Sequence, residues 1–398
     1  MDAIRQSLAG WPDGLAAPWP VLQQSGGYFD PGSLALLAAA TSAGKTTVIA
    51  NLAMHWLGMD DSTEYIWWSC EMPAPLLVVK CLALLVRMLG GTTDPGMMDV
   101  LEQHRITGWL TPDVHAASQW LESRADRLHL LDDPTITASN LAEYCVQAKK
   151  HAESQGRRIG AILIDYAQEL TPSDPGDIAL RMEHLSREIE VSTTAVRLRR
   201  LAQDLNAPVI AAAQLNREDA HDPDRLPELE RIRESARPGQ NASLALGLRN
   251  ARMAGDGTLP GESDAEIAAG IAALVSQATA TGWMPVPPRP YTATPRKVTE
   301  AWRSGARLAI AEQFGSHAEL LEIFTLKDRL RGCTALVAPL AALWPSGLIV
   351  QPQRSYTPPA TLRRGEQGLL AKYFGAAAPT NGTKNGTAKN ALGEGVVP

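Results

Sequence analysis

Ala39, Gly44, Lys45 and Thr46 stand in the order Ala-x-x-x-x-Gly-Lys-Thr, the spacing of a phosphate-binding loop, with alanine where glycine is more common. Successive backbone N–H groups from Ser42 through Ala43 and Gly44 to Thr47 would face an anion at a helix start, where the helix dipole adds partial positive charge. Lys45 would reach the β- and γ-phosphates of ATP, and the Thr46 hydroxyl would sit on Mg²⁺. Asp165 closes the apolar run Ala161–Ile164 and would support the same ion. Glu71 follows another apolar run; it could activate the attacking water or simply be a carboxylate favoured by a helix start. Gln214 ends a third run, as a γ-phosphate sensor or a plain polar strand end.

The elements that must carry these residues alternate along the chain. Leu34 to Ala40 reads as a buried strand, and a helix is expected from Thr47 onward. Tyr65 to Cys70 is a second strand ending on Glu71, followed by helices over 74–89 and about 112–126, with Gly90, Gly91, Pro95 and Gly96 breaking the chain between them. RLHLLDD supplies a third strand, 138–154 a helix, GAILID the fourth strand, 178–205 a helix and APVIAAAQL the fifth strand. Strands separated by helices in this way predict an α/β fold: a mostly parallel central sheet flanked by helices. Two β-like runs around Lys327 to Gly332 add a C-terminal β-hairpin.

Composition narrows the classes. A formal net charge of −6 argues against a uniformly basic nucleic-acid coat, while leaving room for a basic lining on one loop. Cys70, Cys81, Cys145 and Cys333 are scattered without metal-site spacing and suit a reducing, cytoplasmic setting. The longest apolar run, Leu76 to Val86, is interrupted by Lys80 and is too short to span a bilayer. Residues 1–33 read as an N-terminal arm and 34–340 as the core, with a proline-rich insertion over 251–317. Residues 341–375 form a C-terminal extension, and 376–398 have the composition of a disordered tail.

Taken together and in order, these segments resemble the ATPase domain of DnaB-type replicative DNA helicases, a hexameric RecA-like branch of the P-loop NTPases. The likeness covers roughly 28–250 and 318–340. WWSCEM resembles that family's Ser-x-Glu-Met segment, ILIDYAQEL its Asp-Tyr-x-Gln strand, and LAQDLNAPVIAAAQLNRE its sensor segment. The resemblance implies Glu71 as catalytic base and Gln214 as γ-phosphate sensor. LKDRLRG resembles the family's Lys-x-Arg-x-Gly turn, which implies that Lys327 and Arg329 act on a neighbouring subunit's ATP; without the resemblance the turn reads as a solvated basic hairpin.

The family further implies homo-hexamers that bind ATP and Mg²⁺ between subunits and move 5′ to 3′ on single-stranded DNA, with a helicase loader or primase as possible partners. Channel loops would fall after Gln168 and after Gln214, which offers Arg181, Arg217 and Arg225, among several acids, as candidate DNA-binding residues. Two features depart from the bacterial pattern: only residues 1–33 stand where a helical N-terminal domain would precede the core, and 251–317 are extra. They fit a phage or mobile-element replication protein. They also keep open a second expectation, a RecA-like DNA-binding or loader ATPase that assembles on DNA or a partner without unwinding.

Overall fold

The computed structural model describes residues 14–23, 27–171, 187–215, 237–250, 302–303, 306–307, 310–311, 313–315, 317–329 and 336–352. The chain opens with β1 (Leu15–Ala16), α1 (Pro20–Gln23) and β2 (Tyr28–Phe29), then β3 (Leu34–Ala39), α2 (Lys45–Met59), β4 (Thr63–Ser69) and α3 (Ala74–Met88). There follow α4 (Met97–Thr107), α5 (Pro112–Glu122), β5 (Leu128–Leu131), α6 (Ala138–Ser154), β6 (Arg158–Asp165), α7 (Arg187–Leu205) and β7 (Val209–Gln214). The last elements are α8 (Arg237–Asn241), β8 (Leu244–Asn250), β9 (Ala318–Asp328), β10 (Leu336–Leu343) and β11 (Leu348–Val350).

The main sheet runs β11-β10-β9-β8-β3-β7-β6-β4-β5. From β5 to β8 neighbouring strands are parallel; β8 to β11 pair antiparallel. β3 is apolar along its whole length, and β4, β6 and β7 along most of theirs, because both faces are covered. On β3, Ala35, Leu37 and Ala39 pack into one core with α2 and α3, while Leu34, Leu36 and Ala38 pack into the other against α6 and α7. The alternation continues in β4, where Tyr65 and Trp67 enter the first core and Ile66 and Trp68 the second. Each Leu or Ile among them removed from water contributes roughly 1.5–3 kcal/mol, and each Ala less.

The expected α/β class, the five parallel strands and the terminal hairpin are all present. Helices α1, α4 and α8 were not anticipated. Residues 97–107, adjoining the expected chain break, form α4, bounded by Gly96 and by Gly108 in the left-handed region at φ 68°. Only Val100 of α4 is buried, so no apolar stripe marks it in the sequence. Nor was β8 expected as a strand, although its seven residues are buried and lie parallel to β3.

The segment before β3 is fastened to the far edge of the sheet. Trp19 Nε1 donates to the Ile349 carbonyl at 2.9 Å, and Val21 N donates to Gln351 Oε1 at 2.7 Å. Trp56 Nε1 on α2 donates to the Ala16 carbonyl at 2.7 Å, and its ring meets Phe29 edge to face at 5.4 Å. The expected tail, 376–398, and most of the expected insertion lie outside the described residues.

Candidate active site

Register alone gathers three of the singled-out positions, Ala39, Asp165 and Gln214, on one edge of the sheet. Ala39 at the end of β3 pairs with Gln214 at the end of β7, and Ser69 at the end of β4 pairs with Asp165 at the end of β6. Ala39 is fully buried inside the strand, and a β-carbon is therefore tolerated at this first loop position. Beyond it the chain needs torsional freedom: Ser42 has φ 61° and Gly44 φ 100°. A β-carbon on Gly44 would meet nothing closer than 4.0 Å, which makes its requirement conformational rather than steric. Helix α2 starts at Lys45, two residues before the expected start at Thr47. Its first-turn N–H groups lack intrahelical carbonyl partners, and no side chain caps them. Ser42, Ala43, Gly44, Lys45, Thr46 and Thr47 thus form the left-handed turn and open helix start that suit an anion.

Lys45, only 7% exposed, lays its Nζ across the loop and donates to the carbonyls of Ala40 at 3.0 Å and Ala39 at 3.4 Å. Burial pulls this ammonium below the ordinary lysine value, while Asp165 and Glu71 push it back up. Thr46 Oγ1 donates to Asp165 Oδ2 at 2.6 Å. The other carboxylate oxygen, Oδ1, is buried without a hydrogen-bond partner. Burial raises the Asp165 carboxyl above the usual range; the Thr46 bond lowers it, Glu71 raises it, and Lys45 and Lys80 lower it. A hydroxyl and an orphaned carboxylate oxygen beside an anion cradle fit Mg²⁺. Among the described residues no group of three or more His, Cys, Asp or Glu could hold a metal alone. The ion would therefore share its ligands with phosphate oxygens.

A cavity of about 480 Å³ opens next to these groups, lined by Thr41, Ser42, Lys45, Glu71, Tyr166 and Gln214 among others. Glu71 lies two residues past the end of β4, in the bend before α3, rather than at the strand end itself. Gln214 Nε2 donates to Thr41 Oγ1, which fixes its amide against the phosphate loop. Tyr166 OH donates to Glu169 Oε1 at 2.9 Å at the cavity wall. Burial raises the Tyr166 phenol, as does its bond to Glu169, and it stays protonated at neutral pH.

Lys80 is a charge whose role the sequence did not disclose. On α3 it stands in the buried stripe Leu77, Cys81 and Leu84, and its ammonium interacts with Asp165 and Glu71. Burial lowers it below the usual lysine value; Cys81 and the two carboxylates pull it up. A lysine interrupting an otherwise apolar helix face was the available signal.

Lys327 and Arg329 are not part of this cluster. Pairing of Ala35 with Leu244, and of Leu244 with Asp328, puts them at the opposite edge of the sheet from Ala39. There Lys327 Nζ donates to the carbonyls of Gly239 at 2.6 Å and Gln240 at 3.1 Å, and Arg329 also donates to Gln240. Burial lowers the Lys327 ammonium, with further lowering from Arg329 and Arg199. Arg181, Arg217 and Arg225 lie outside the described residues. No described helix is long and apolar enough to cross a membrane.

Comparison with known proteins bears on the same residues. The family model described as the DnaB-like helicase C-terminal domain matches residues 14–268. The replicative DNA helicase DnaB of Geobacillus stearothermophilus is 28% identical over 237 residues, covering 59% of this chain and 47% of that protein. The DnaB of Leifsonia xyli subsp. xyli is 28% identical over 270 residues, 66% of this chain and 51% of its own. The chain spans about half the length of these curated relatives. Among solved structures, one isolated ATPase domain superposes with a TM-score of 0.60 at 16% identity, covering 88% of this chain and 97% of that one. A DnaB-like replicative helicase, described together with its interactions with primase, gives 0.58 at 16% identity, covering 87% of this chain and 63% of that one. At these identities the structures establish the fold alone, which is RecA-like.

Proposed function

Because this chain belongs to the DnaB-like helicase C-terminal domain family, we propose that it is the motor of a replicative DNA helicase, hydrolysing ATP to move along single-stranded DNA. The observation that carries the reading is the contact between Thr46 and Asp165, which brings the phosphate loop and β6 together around an unpartnered carboxylate oxygen, with Lys45 and the Glu71 cavity alongside. Backbone N–H groups of Ser42 to Thr47 receive the phosphates, and Lys45 exchanges its loop carbonyls for phosphate oxygens. Mg²⁺, held by Thr46 and through Asp165, neutralises charge on those oxygens when bound. Glu71 accepts a proton from the attacking water as the bond to the γ-phosphorus forms and the bridging oxygen leaves with ADP. Gln214 reads the presence of the γ-phosphate from the loop it already touches.

Lys327 and Arg329 act in trans in this reading. Their place at the far edge of the sheet keeps them from their own chain's nucleotide site and leaves them to a neighbour's in a head-to-tail ring, the hexamer of the family. Single-stranded DNA, ATP and Mg²⁺ are the ligands; movement from 5′ to 3′ and a primase or loader partner belong to the same proposal.

The test is ATP turnover with and without single-stranded DNA, together with unwinding of a forked duplex, for wild type and Glu71→Gln. DNA-stimulated turnover and unwinding, both lost in Glu71→Gln, support the helicase. Stimulated turnover without unwinding replaces it with a DNA-binding or loader ATPase that assembles on DNA or on a partner.

A further inference from the structure

Gln168 does none of the chemistry assigned above, yet its side chain is tied to the strand end that bears Gln214. It lies in the short 3₁₀ turn Ala167–Glu169 directly after β6 and is 3% exposed. Its Nε2 donates to the Gln214 carbonyl at 3.1 Å, and its Oε1 accepts from the Gln214 N–H at 3.2 Å. One side-chain amide thus occupies the place of a neighbouring strand's peptide group. Most of the surroundings are apolar: α7 presents Val191, Ala195 and Leu198 and the sheet Leu34, Leu36 and Ala213, while the hydroxyl of Thr194 donates to the Leu170 carbonyl. Bonds in such surroundings are worth more than at the surface, and a buried peptide left unpaired costs correspondingly more.

The clamp sits between two functional ends. Asp165 precedes it by one turn of chain, and Gln214, the residue it holds, donates in turn to Thr41 of the phosphate loop. We propose that Gln168 is a positioning residue that fixes the backbone of Gln214 and thereby keeps the sensor amide on the phosphate loop, tying the exit of β6 to the exit of β7. The inference rests on Gln214 sensing the γ-phosphate, as read above.

Only a side chain with one donor and one acceptor at this reach can make both bonds, which permits a chemical rescue. Gln168→Met keeps the length and loses both partners. Gln168→Glu loses the donor when ionised and regains it when protonated, and an apolar pocket raises a carboxyl's pKa. Uncharged groups face it from β3, β7 and α7; the acidic neighbours on its own segment are Asp165 and Glu169.

The expected result is a fall in kcat on the order of tenfold for Gln168→Met, with KM for ATP changed less than about twofold. For Gln168→Glu, the ratio of kcat to wild type rises about threefold or more between pH 8.5 and 5.5, while the ratio for Gln168→Met stays flat. Hydrogen exchange across 209–215 reads the hold without turnover: the Gln214 amide exchanges about tenfold faster in Gln168→Met. A wild-type kcat in Gln168→Met, a flat ratio for Gln168→Glu, or unchanged exchange overturns the inference. If exchange responds as expected but wild type hydrolyses no ATP, the clamp stands and the functional reading fails.

Discussion

The hydroxyl of Thr46 and the carboxylate of Asp165, 119 residues apart in sequence, are joined by a 2.6 Å hydrogen bond that leaves Asp165 Oδ1 buried and unpartnered. An acid in that position costs the empty protein stability. Its folded pKa is raised above 3.8, so its contribution is fully present below that value and is lost as pH rises through the folded pKa. Asp165→Asn is therefore expected to match or exceed wild type in Tm without nucleotide, with a larger advantage at pH 8 than at pH 4. Hydrolysis should fall on the order of 100-fold or more. Calorimetry over pH and a turnover assay check both halves, and a lower Tm at pH 8 would contradict the first.

Asp60 shows the opposite sign. Its carboxylate accepts from Thr63 Oγ1 at 2.6 Å and from the Ser62 N–H and hydroxyl at 2.8 Å, and these bonds lower its pKa to about 2. The stability it lends the turn between α2 and β4 is present above 3.8 and lost as pH falls toward about 2. Asp60→Ala should lower Tm at neutral pH and converge on wild type at the acid end of that window.

Gly160 crosses β4 with no room to spare. A β-carbon there would stand 2.3 Å from Thr63 Cγ2 and 2.7 Å from Tyr65 Cε1. Gly160→Ala is expected to cost about 1–3 kcal/mol by overpacking. Adding Thr63→Ser, which removes the nearer methyl group and keeps a hydroxyl for Asp60, should recover part of it in urea unfolding.

Asn51 stitches α2 to the last turn of the sheet. Its Nδ2 donates to the Gly347 carbonyl at 2.9 Å, and its Oδ1 accepts from Ile349 N at 2.9 Å. Asn51→Ala leaves both peptide groups buried and unpaired, at about 2–3 kcal/mol. Because Gly347 also abuts Thr47 beside the phosphate loop, KM for ATP should rise as well. A loss of stability with KM unchanged would confine Asn51 to the scaffold.

If Lys327 and Arg329 serve a neighbour, two inactive variants should complement each other. In an equal mixture of Arg329→Ala and Glu71→Gln subunits, about a quarter of head-to-tail interfaces contain an intact Glu71 facing an intact Arg329. Turnover should recover on mixing. Its absence, with mixed assembly verified, would exclude action in trans.

Most of the parallel part of the fold was legible because β3, β4, β6 and β7 each contain an uninterrupted apolar run with a polar residue at or just past its end; β8, which ends on Arg249 and Asn250, was not. Gly44, Lys45, Thr46 and Asp165 could be found from spacing alone. Lys80 could not be assigned a role, since a charged residue among Leu77, Cys81 and Leu84 gains meaning only once α3 is laid against the ends of β4 and β6. Gln168 was visible merely as a landmark in a motif; its two bonds to Gln214 depend on the turn after β6, which no periodicity encodes. Helix α4 escaped because only Val100 is buried while Met98 and Ile106 stand exposed among Glu102, His104 and Arg105, so its apolar residues mark no single face.

The Asn51 stitch also orders events during synthesis. Its partners Gly347 and Ile349 lie 296 and 298 residues downstream, and the Trp19 bond to Ile349 spans 330. A chain emerging from the ribosome presents the phosphate loop early and must wait for nearly the whole body before that helix acquires its final neighbours. The helix that opens on the phosphate loop is thus made early and packed late.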